Sequence, residues 1–187
     1  MRRALRALAL ACALGGLGGC ATQEFLAPAQ SVEFELSGRI AVRWRDESST
    51  GNVRWRHHAG GDEMLISTPL GQGVARIVRE AGNVTLTTAE DRTYRAKDAS
   101  SLTEQVLGFR LPLEGLADWI RARASPVGPV TALRHGADGR LALLEQDGWR
   151  IEYLAWDDAG QRPRRLRLSM AEPAIDMRIA IGEWLAP

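Results

Sequence analysis

Residues 34–45 constrain the fold more than any other stretch. Phe34, Leu36, Ile40, Val42 and Trp44 fall on even numbers, with Ser37, Arg39, Arg43 and Arg45 between them. Side chains of an extended chain alternate between two faces, so this run demands a strand with one dry face and one wet face. The pattern recurs. Val53 and Trp55 alternate with Arg54 and Arg56, and Val84 and Leu86 with Thr85 and Thr87. Trp149, Ile151 and Tyr153 alternate with Arg150 and Glu152. Leu166, Leu168 and Met170 alternate with Arg165, Arg167 and Ser169, and Ile175, Met177, Ile179 and Ile181 follow with Asp176 and Arg178 interleaved.

Turn signals separate these runs at Glu47-Ser48-Ser49, Ala59-Gly60-Gly61-Asp62, Ala81-Gly82-Asn83, Ala137-Asp138-Gly139 and Asp157-Asp158-Ala159-Gly160. Evenly spaced strands joined by tight turns imply an antiparallel sheet of hairpins, and a sheet this large curls. Two stretches break the period. Asp98 is placed to cap a helix running to about Leu107, with Leu102, Val106 and Leu107 on one side and Gly108 as its stop. After Pro112, the residues Leu113, Leu116, Trp119 and Ile120 keep helical spacing to about Arg123. The expected fold is mainly β, with some helix (α+β). It is an unclosed antiparallel β-barrel, or half-barrel, with a helical lid over an apolar concave face. Periodicity alone does not separate a filled core from an empty apolar cavity.

The N-terminus reads as a secretory signal. Arg2, Arg3 and Arg6 precede the short apolar run Ala7–Leu14, and Leu17-Gly18-Gly19-Cys20 ends it. The run is too short to span a bilayer. Small residues before a cysteine form the bacterial lipoprotein pattern, in which the signal is cut and Cys20 carries the lipid. Three parts are therefore expected: a signal over 1–19, a lipidated cysteine with a polar tether over 20–32, and one folded domain over 33–187. The chain has two cysteines, Cys12 and Cys20. One leaves with the signal and the other is modified, so no disulfide and no thiol nucleophile is expected. The balance of 24 basic and 23 acidic residues turns slightly negative once the three signal arginines are lost. That is no signature of nucleic-acid binding.

Enzyme readings are thin. His57 and His58 are adjacent and point to opposite faces of a strand, and His135 stands alone, so no pair has metal-ligand spacing. No nucleophile elbow surrounds a serine, and Gly71-Gln72-Gly73 lacks the rest of a phosphate loop. Two carboxylates from any part of the chain can still meet in space. Against this, Ser67-Thr68-Pro69-Leu70-Gly71 stands out. Pro69 and Gly71 bracket a large aliphatic residue at what reads as a hairpin tip, where side chains are usually polar. Leu70 either folds back into the core or is offered to a membrane interface or a lipidated client.

The order of short motifs resembles the LolB family of outer-membrane lipoproteins. The series is Phe34-x-Leu36-x-Gly38-Arg39-Ile40-Ala41-Val42, Gly51-x-x-x-Trp55, Pro69-Leu70-Gly71, Gly108-Phe109-x-Leu111-Pro112-Leu113, Leu116-x-x-Trp119-Ile120 and Gly148-Trp149-x-Ile151-x-Tyr153. It closes with Pro163, Leu166, Leu168 and the run Ile179–Trp184. The resemblance implies an unclosed barrel with helices over an apolar cavity, and neither catalysis, metal nor cofactor beyond the N-acyl and diacylglyceryl lipid on Cys20. It implies a periplasm-facing, lipid-anchored protein of the outer membrane, acting as a monomer. Its partners would be the soluble periplasmic carrier LolA, client lipoproteins and the inner leaflet of the outer membrane. Leu70, with Pro69 and Gly71, would form the membrane-inserting loop. The acyl-cavity lining is expected from Leu36, Ile40, Val42, Trp44, Trp55, Leu102, Val106, Leu116, Trp119, Ile120, Trp149, Ile151 and Tyr153. The sequence departs from the family at Arg121-Ala122-Arg123-Ala124, where a glycine is usual. The alternatives left open are a scaffold lipoprotein with a solid β core and an envelope hydrolase.

Overall fold

A computed structural model describes residues 31–80, 82–107, 110–111 and 113–185. The signal, Cys20, most of the tether, and the motif residues Gly108, Phe109 and Pro112 lie outside the described residues.

Eleven strands form one antiparallel sheet: β1 (Val32–Trp44), β2 (Glu47–His58), β3 (Gly61–Ser67), β4 (Gly73–Glu80), β5 (Asn83–Thr88), β6 (Thr93–Ala96), β7 (Val130–His135), β8 (Leu141–Gln146), β9 (Trp149–Trp156), β10 (Pro163–Met170) and β11 (Ile175–Trp184). The helices α1 (Ala99–Leu107) and α2 (Leu113–Trp119) follow β6. The spatial order is β6-β5-β4-β3-β2-β1-β11-β10-β9-β8-β7. The first and last strands of the chain's β-structure thus meet in the middle of the sheet, through β1 and β11. The two edges, β6 and β7, are not paired to each other, so the barrel is unclosed.

Register explains the dry face. Ile40 stands opposite Ile179 and Val42 opposite Met177, while Leu36 faces Trp55 on the other neighbour. Even positions of β1 therefore share one face with odd positions of β2 and β11, and that face carries the core. The long first hairpin turns at Arg45-Asp46, with Arg45 at φ 54°. The turn expected at Glu47-Ser48-Ser49 lies inside β2, paired to β1. Asp62, read as a turn residue, belongs to β3 and is 1% exposed. β7 shows no alternation in the sequence because it is an edge strand exposed at five of its six positions, so it has no dry face to impose one.

The helices start and stop for identifiable reasons. Asp98 caps α1, its Oδ1 accepting the Ser101 N–H at 2.7 Å. Helix α2 ends at Trp119, short of the expected Arg123. Ala122 adopts φ 56° and its N–H reverts to the Trp119 carbonyl, at 2.9 Å. The Arg121 Nε donates to the Ala117 carbonyl at 2.8 Å and the Tyr153 hydroxyl to the Trp119 carbonyl at 2.8 Å. The first satisfies a helix-end acceptor, and the second adds a further donor to the Trp119 carbonyl.

Candidate functional site, an apolar cavity beside an exposed leucine

The concave face is filled in one half and empty in the other. On the C-terminal half, Trp119 of α2 packs against Trp149 with ring centroids 6.2 Å apart. Its indole N–H donates to Gln146 Oε1 at 2.9 Å. Gln146 is fully buried, also accepts the Ser125 N–H, and donates to the carbonyls of Ser125, Val127 and Gly128. It knits the segment after α2 to β8. Tyr153 closes this region through its bond to Trp119, and burial pushes its phenol pKa up.

On the N-terminal half, β1–β5, β11 and the helices enclose a cavity of about 480 Å³. That volume falls within the roughly 300–1,000 Å³ of small-molecule sites. Leu36, Ile40, Val42, Trp44, Trp55, Val106, Leu116 and Ile120 line it. The remaining residues expected on its wall do not. Leu102, Trp119, Trp149, Ile151 and Tyr153 are buried in the solid core. The reason is strand order: Trp149, Ile151 and Tyr153 sit on β9, two strands beyond β11, where the Trp119 contact fills the space. Wall residues the sequence reading did not assign include Val53, Met64, Ile66, Ala75, Ile77 and Leu86. Alternation marks Val53 and Leu86 in the sequence, but only register shows that these residues follow β1 across the sheet. Gly51 lies opposite Ile40. A Cβ there would stand 2.7 Å from the Ser67 carbonyl oxygen, so no side chain fits at that point of the wall.

Two residues further along the strands than the wall residues Trp55, Met64 and Ile77 stands a charge cluster. His57, Asp62 and Arg79 are neighbours in register across β2, β3 and β4, on the dry face. Asp62 Oδ1 accepts from Trp55 Nε1 at 2.9 Å and from His57 Nδ1 at 2.6 Å. Its Oδ2 accepts from Arg79 Nε at 2.6 Å. Burial opposes ionisation of Asp62, but these bonds from His57 and Trp55 and the charge of Arg79 outweigh it and hold the carboxyl below its ordinary range. Arg79 also reaches Glu114 of α2 at 3.7 Å. The network thus orients Trp55, a cavity wall, and ties the sheet to a helix.

Leu70 is 92% exposed, between β3 and β4. Its loop is built to keep it there. The Gly71 N–H donates to the Thr68 carbonyl at 2.9 Å, and the Thr68 N–H to the Gln72 carbonyl at 2.8 Å. Pro69 presets the backbone of the second turn position, and Gly71 takes φ 89°, which glycine adopts without strain. The Thr68 hydroxyl accepts the Gln72 N–H at 3.2 Å. Ser67, at the stem of this loop, is itself part of the cavity wall.

Among the described residues no group of three His, Cys, Asp or Glu side chains could hold a metal ion, and no helix is long and apolar enough to cross a membrane. A family model described as outer membrane lipoprotein LolB matches residues 32–184. The chain belongs to the LolB family. It is 41% identical over 186 residues to the outer-membrane lipoprotein LolB of Thiobacillus denitrificans, spanning 96% of this chain and 98% of that one. It is 34% identical over 191 residues to that of an Azoarcus species, with 98% of each covered. The Nitrosomonas europaea LolB is 37% identical over 155 residues, covering 81% of this chain and 72% of that one. Among solved structures, a LolA superfamily protein from Nitrosomonas europaea superposes with a TM-score of 0.50 at 11% identity, covering 85% of this chain and 87% of that one. That likeness speaks for the fold alone.

Proposed function

We propose that this LolB-family chain is a lipid-anchored receptor of the outer membrane. It accepts the acyl chains of lipoproteins from the soluble periplasmic carrier LolA and releases them into the membrane's inner leaflet. The observation that carries the reading is the pairing of an unfilled apolar cavity with a rigidly presented, exposed Leu70 at its border. An acyl chain gains roughly 0.8 kcal/mol per CH₂ on leaving water, so a chain of about 16 carbons gains on the order of 12 kcal/mol. Such a client cannot cross an aqueous space bare, and its transfer needs a second dry wall of this kind. Residues 1–19 act as the signal. Cys20 carries the diacylglyceryl and N-acyl groups, and residues 20–32 tether the binding domain over 33–187. The protein works as a monomer and catalyses nothing: differential affinity along the route moves the client.

Leu70, held by Pro69 and Gly71, enters the leaflet and opens the way for the client to leave. Leu70→Glu tests this in a reconstituted transfer assay with loaded carrier and membranes. Uptake from the carrier should proceed while delivery into the membrane falls at least ten-fold. Normal delivery by that variant would remove the loop from the mechanism.

A further inference from the structure

The convex face, opposite the cavity, has a groove of about 630 Å³. It forms where the β1–β11 ladder is irregular: the register shifts between Ser37 and Gly38, leaving Gly182 as the extra residue of β11. A bulge interrupts the ladder and bends the strand, which dents the surface. Its lining includes the small residues Ser37, Gly38, Ala180 and Gly182, beside Val53 and Ile181. Four arginines stand around it, Arg39, Arg54, Arg164 and Arg165, all exposed, and no carboxylate lines it among the described residues.

Two of these arginines are committed. Arg54 pairs with Glu35 at 2.6 Å, and Arg164 donates to the Gly182 carbonyl at 2.9 Å. The other two are free. Arg39 and Arg165 both stand opposite Ala180, one on each side of β11, and neither forms an ion pair among the described residues. Two guanidinium groups flanking the small Ala180 make a cleft for an anion that takes forked hydrogen bonds, as phosphate does. The groove also reaches Leu65, a half-exposed aliphatic residue, and Ser67. Ser67 borders the acyl cavity too and begins the Leu70 loop, and Asn52 in the groove donates to the Thr68 carbonyl at 3.1 Å.

We infer that this groove is a docking surface for the phosphodiester headgroups of an anionic membrane. The exposed Leu65 and the adjoining Leu70 loop favour a lipid surface over an acidic polypeptide, because both apolar side chains would be left in water by a purely charged partner. Bound there, headgroups hold the domain with the Leu70 loop beside the bilayer. The inference rests on the receptor reading only for its placement at a membrane.

The test uses the processed chain, from residue 20 onward with Cys20→Ala, so that no lipid anchor contributes. Co-sedimentation compares vesicles of phosphatidylglycerol with vesicles of phosphatidylcholine. The chain should prefer phosphatidylglycerol, and the preference should fade as salt is raised from 50 to about 300 mM. Each basic residue near an anionic bilayer strengthens binding about five-fold, so Arg39→Ala with Arg165→Ala should weaken it roughly 25- to 30-fold. Leu70→Glu should weaken binding to both vesicles while keeping the preference. A melting temperature unchanged in the double variant excludes misfolding. Equal binding to both vesicle types, or a double variant that binds phosphatidylglycerol as the parent does, would overturn the inference. So would a double variant impaired only in uptake from the carrier, since the groove would then dock an acidic protein. Failure of the receptor reading looks different: the parent chain would take up no lipoprotein, whatever its vesicle preference.

Discussion

Asp62→Asn tests whether the charge network around Asp62 holds the cavity wall in place. The side chain is fully out of solvent, and three residues, Trp55, His57 and Arg79, donate to its carboxylate. An amide keeps the shape but turns an N–H₂ towards at least one of those donors. Arg79, only 17% exposed, would keep a single distant partner, Glu114 at 3.7 Å. Breaking a buried pair by removing one member costs about 3–5 kcal/mol. Residual access of Arg79 to water and to Glu114 places the loss near the lower end, about 3 kcal/mol. In a domain of this size each kcal/mol moves Tm by about 2–4 °C, so thermal unfolding followed by circular dichroism should shift down by about 6–12 °C. Adding Arg79→Met should restore part of the loss, since an uncompensated buried cation is then removed. Trp55 loses its anchor as well, so its fluorescence should change and an acyl probe should bind more weakly. The pH dependence has a definite sign. A carboxyl held below its ordinary value of 3.8 contributes its full stability above that pH and loses it as pH falls through the lowered folded value. The parent should therefore weaken more steeply than Asp62→Asn below about pH 4. A variant that melts within about 2 °C of the parent, with unchanged Trp55 fluorescence, would refute the argument.

Ala75 lies on the cavity wall opposite Ile66. Ala75→Trp should fill the empty volume and cut binding of a fluorescent fatty acid at least ten-fold, with Tm unchanged or raised. Ala122 holds φ 56° at the end of α2. Relieving a left-handed L-residue is worth about 1–2 kcal/mol, less about 0.5–1 for the added freedom of glycine. Ala122→Gly should thus raise Tm by about 1–3 °C, and calorimetry reads it directly. Gln146 makes five hydrogen bonds in the filled half. Gln146→Leu should lower Tm by more than 6 °C yet leave acyl affinity of the folded protein nearly intact, because none of its partners touches the cavity.

Much of this architecture is legible in the sequence because a half-wet sheet writes its period into the chain. The strand from Phe34 to Trp44, the hairpin tip at Leu70 and the cap at Asp98 follow from local rules of alternation, turn chemistry and helix ends. The cavity wall is different. Whether Trp149 or Ile77 borders empty space depends on which strand stands beside which, and the β1–β11 pairing joins segments more than 130 residues apart. Both residues look alike in a pattern search. Asp62 and Gln146 are harder still. Each lies among other polar residues, beside Glu63 or between Glu145 and Asp147, and each gains meaning only from hydrogen-bond partners brought by other elements. The groove on the convex face rests on a one-residue slip at Gly182, and no periodicity announces an interruption of itself. What the motif order did convey was family, through residues spread along the whole domain.

The division of the sheet into a filled and an empty half has a physical necessity behind it. A wholly packed barrel has nowhere to put an acyl chain, and a wholly empty one lacks the burial that holds a single-layer sheet together. Here Trp119, Trp149, Ile151 and Leu168 supply the close-packed core on one side of β11. The ladder of β1 with β2 and β11 carries that rigidity across to the other side, where Ile40 and Val42 face open space. An apolar cavity tends to collapse when its lining can shift inward. This lining cannot easily do so. Its floor is fixed by backbone pairing at Gly51, Trp55 in its wall is held by Asp62, and its helical cover is tied to the sheet where Arg79 reaches Glu114 of α2 at 3.7 Å and is braced within itself by the Thr103 hydroxyl, which accepts the Leu111 N–H at 2.8 Å. Helix α1 packs against β5 and β6, at one edge of the sheet. The fold therefore keeps its volume open with a rigid wall.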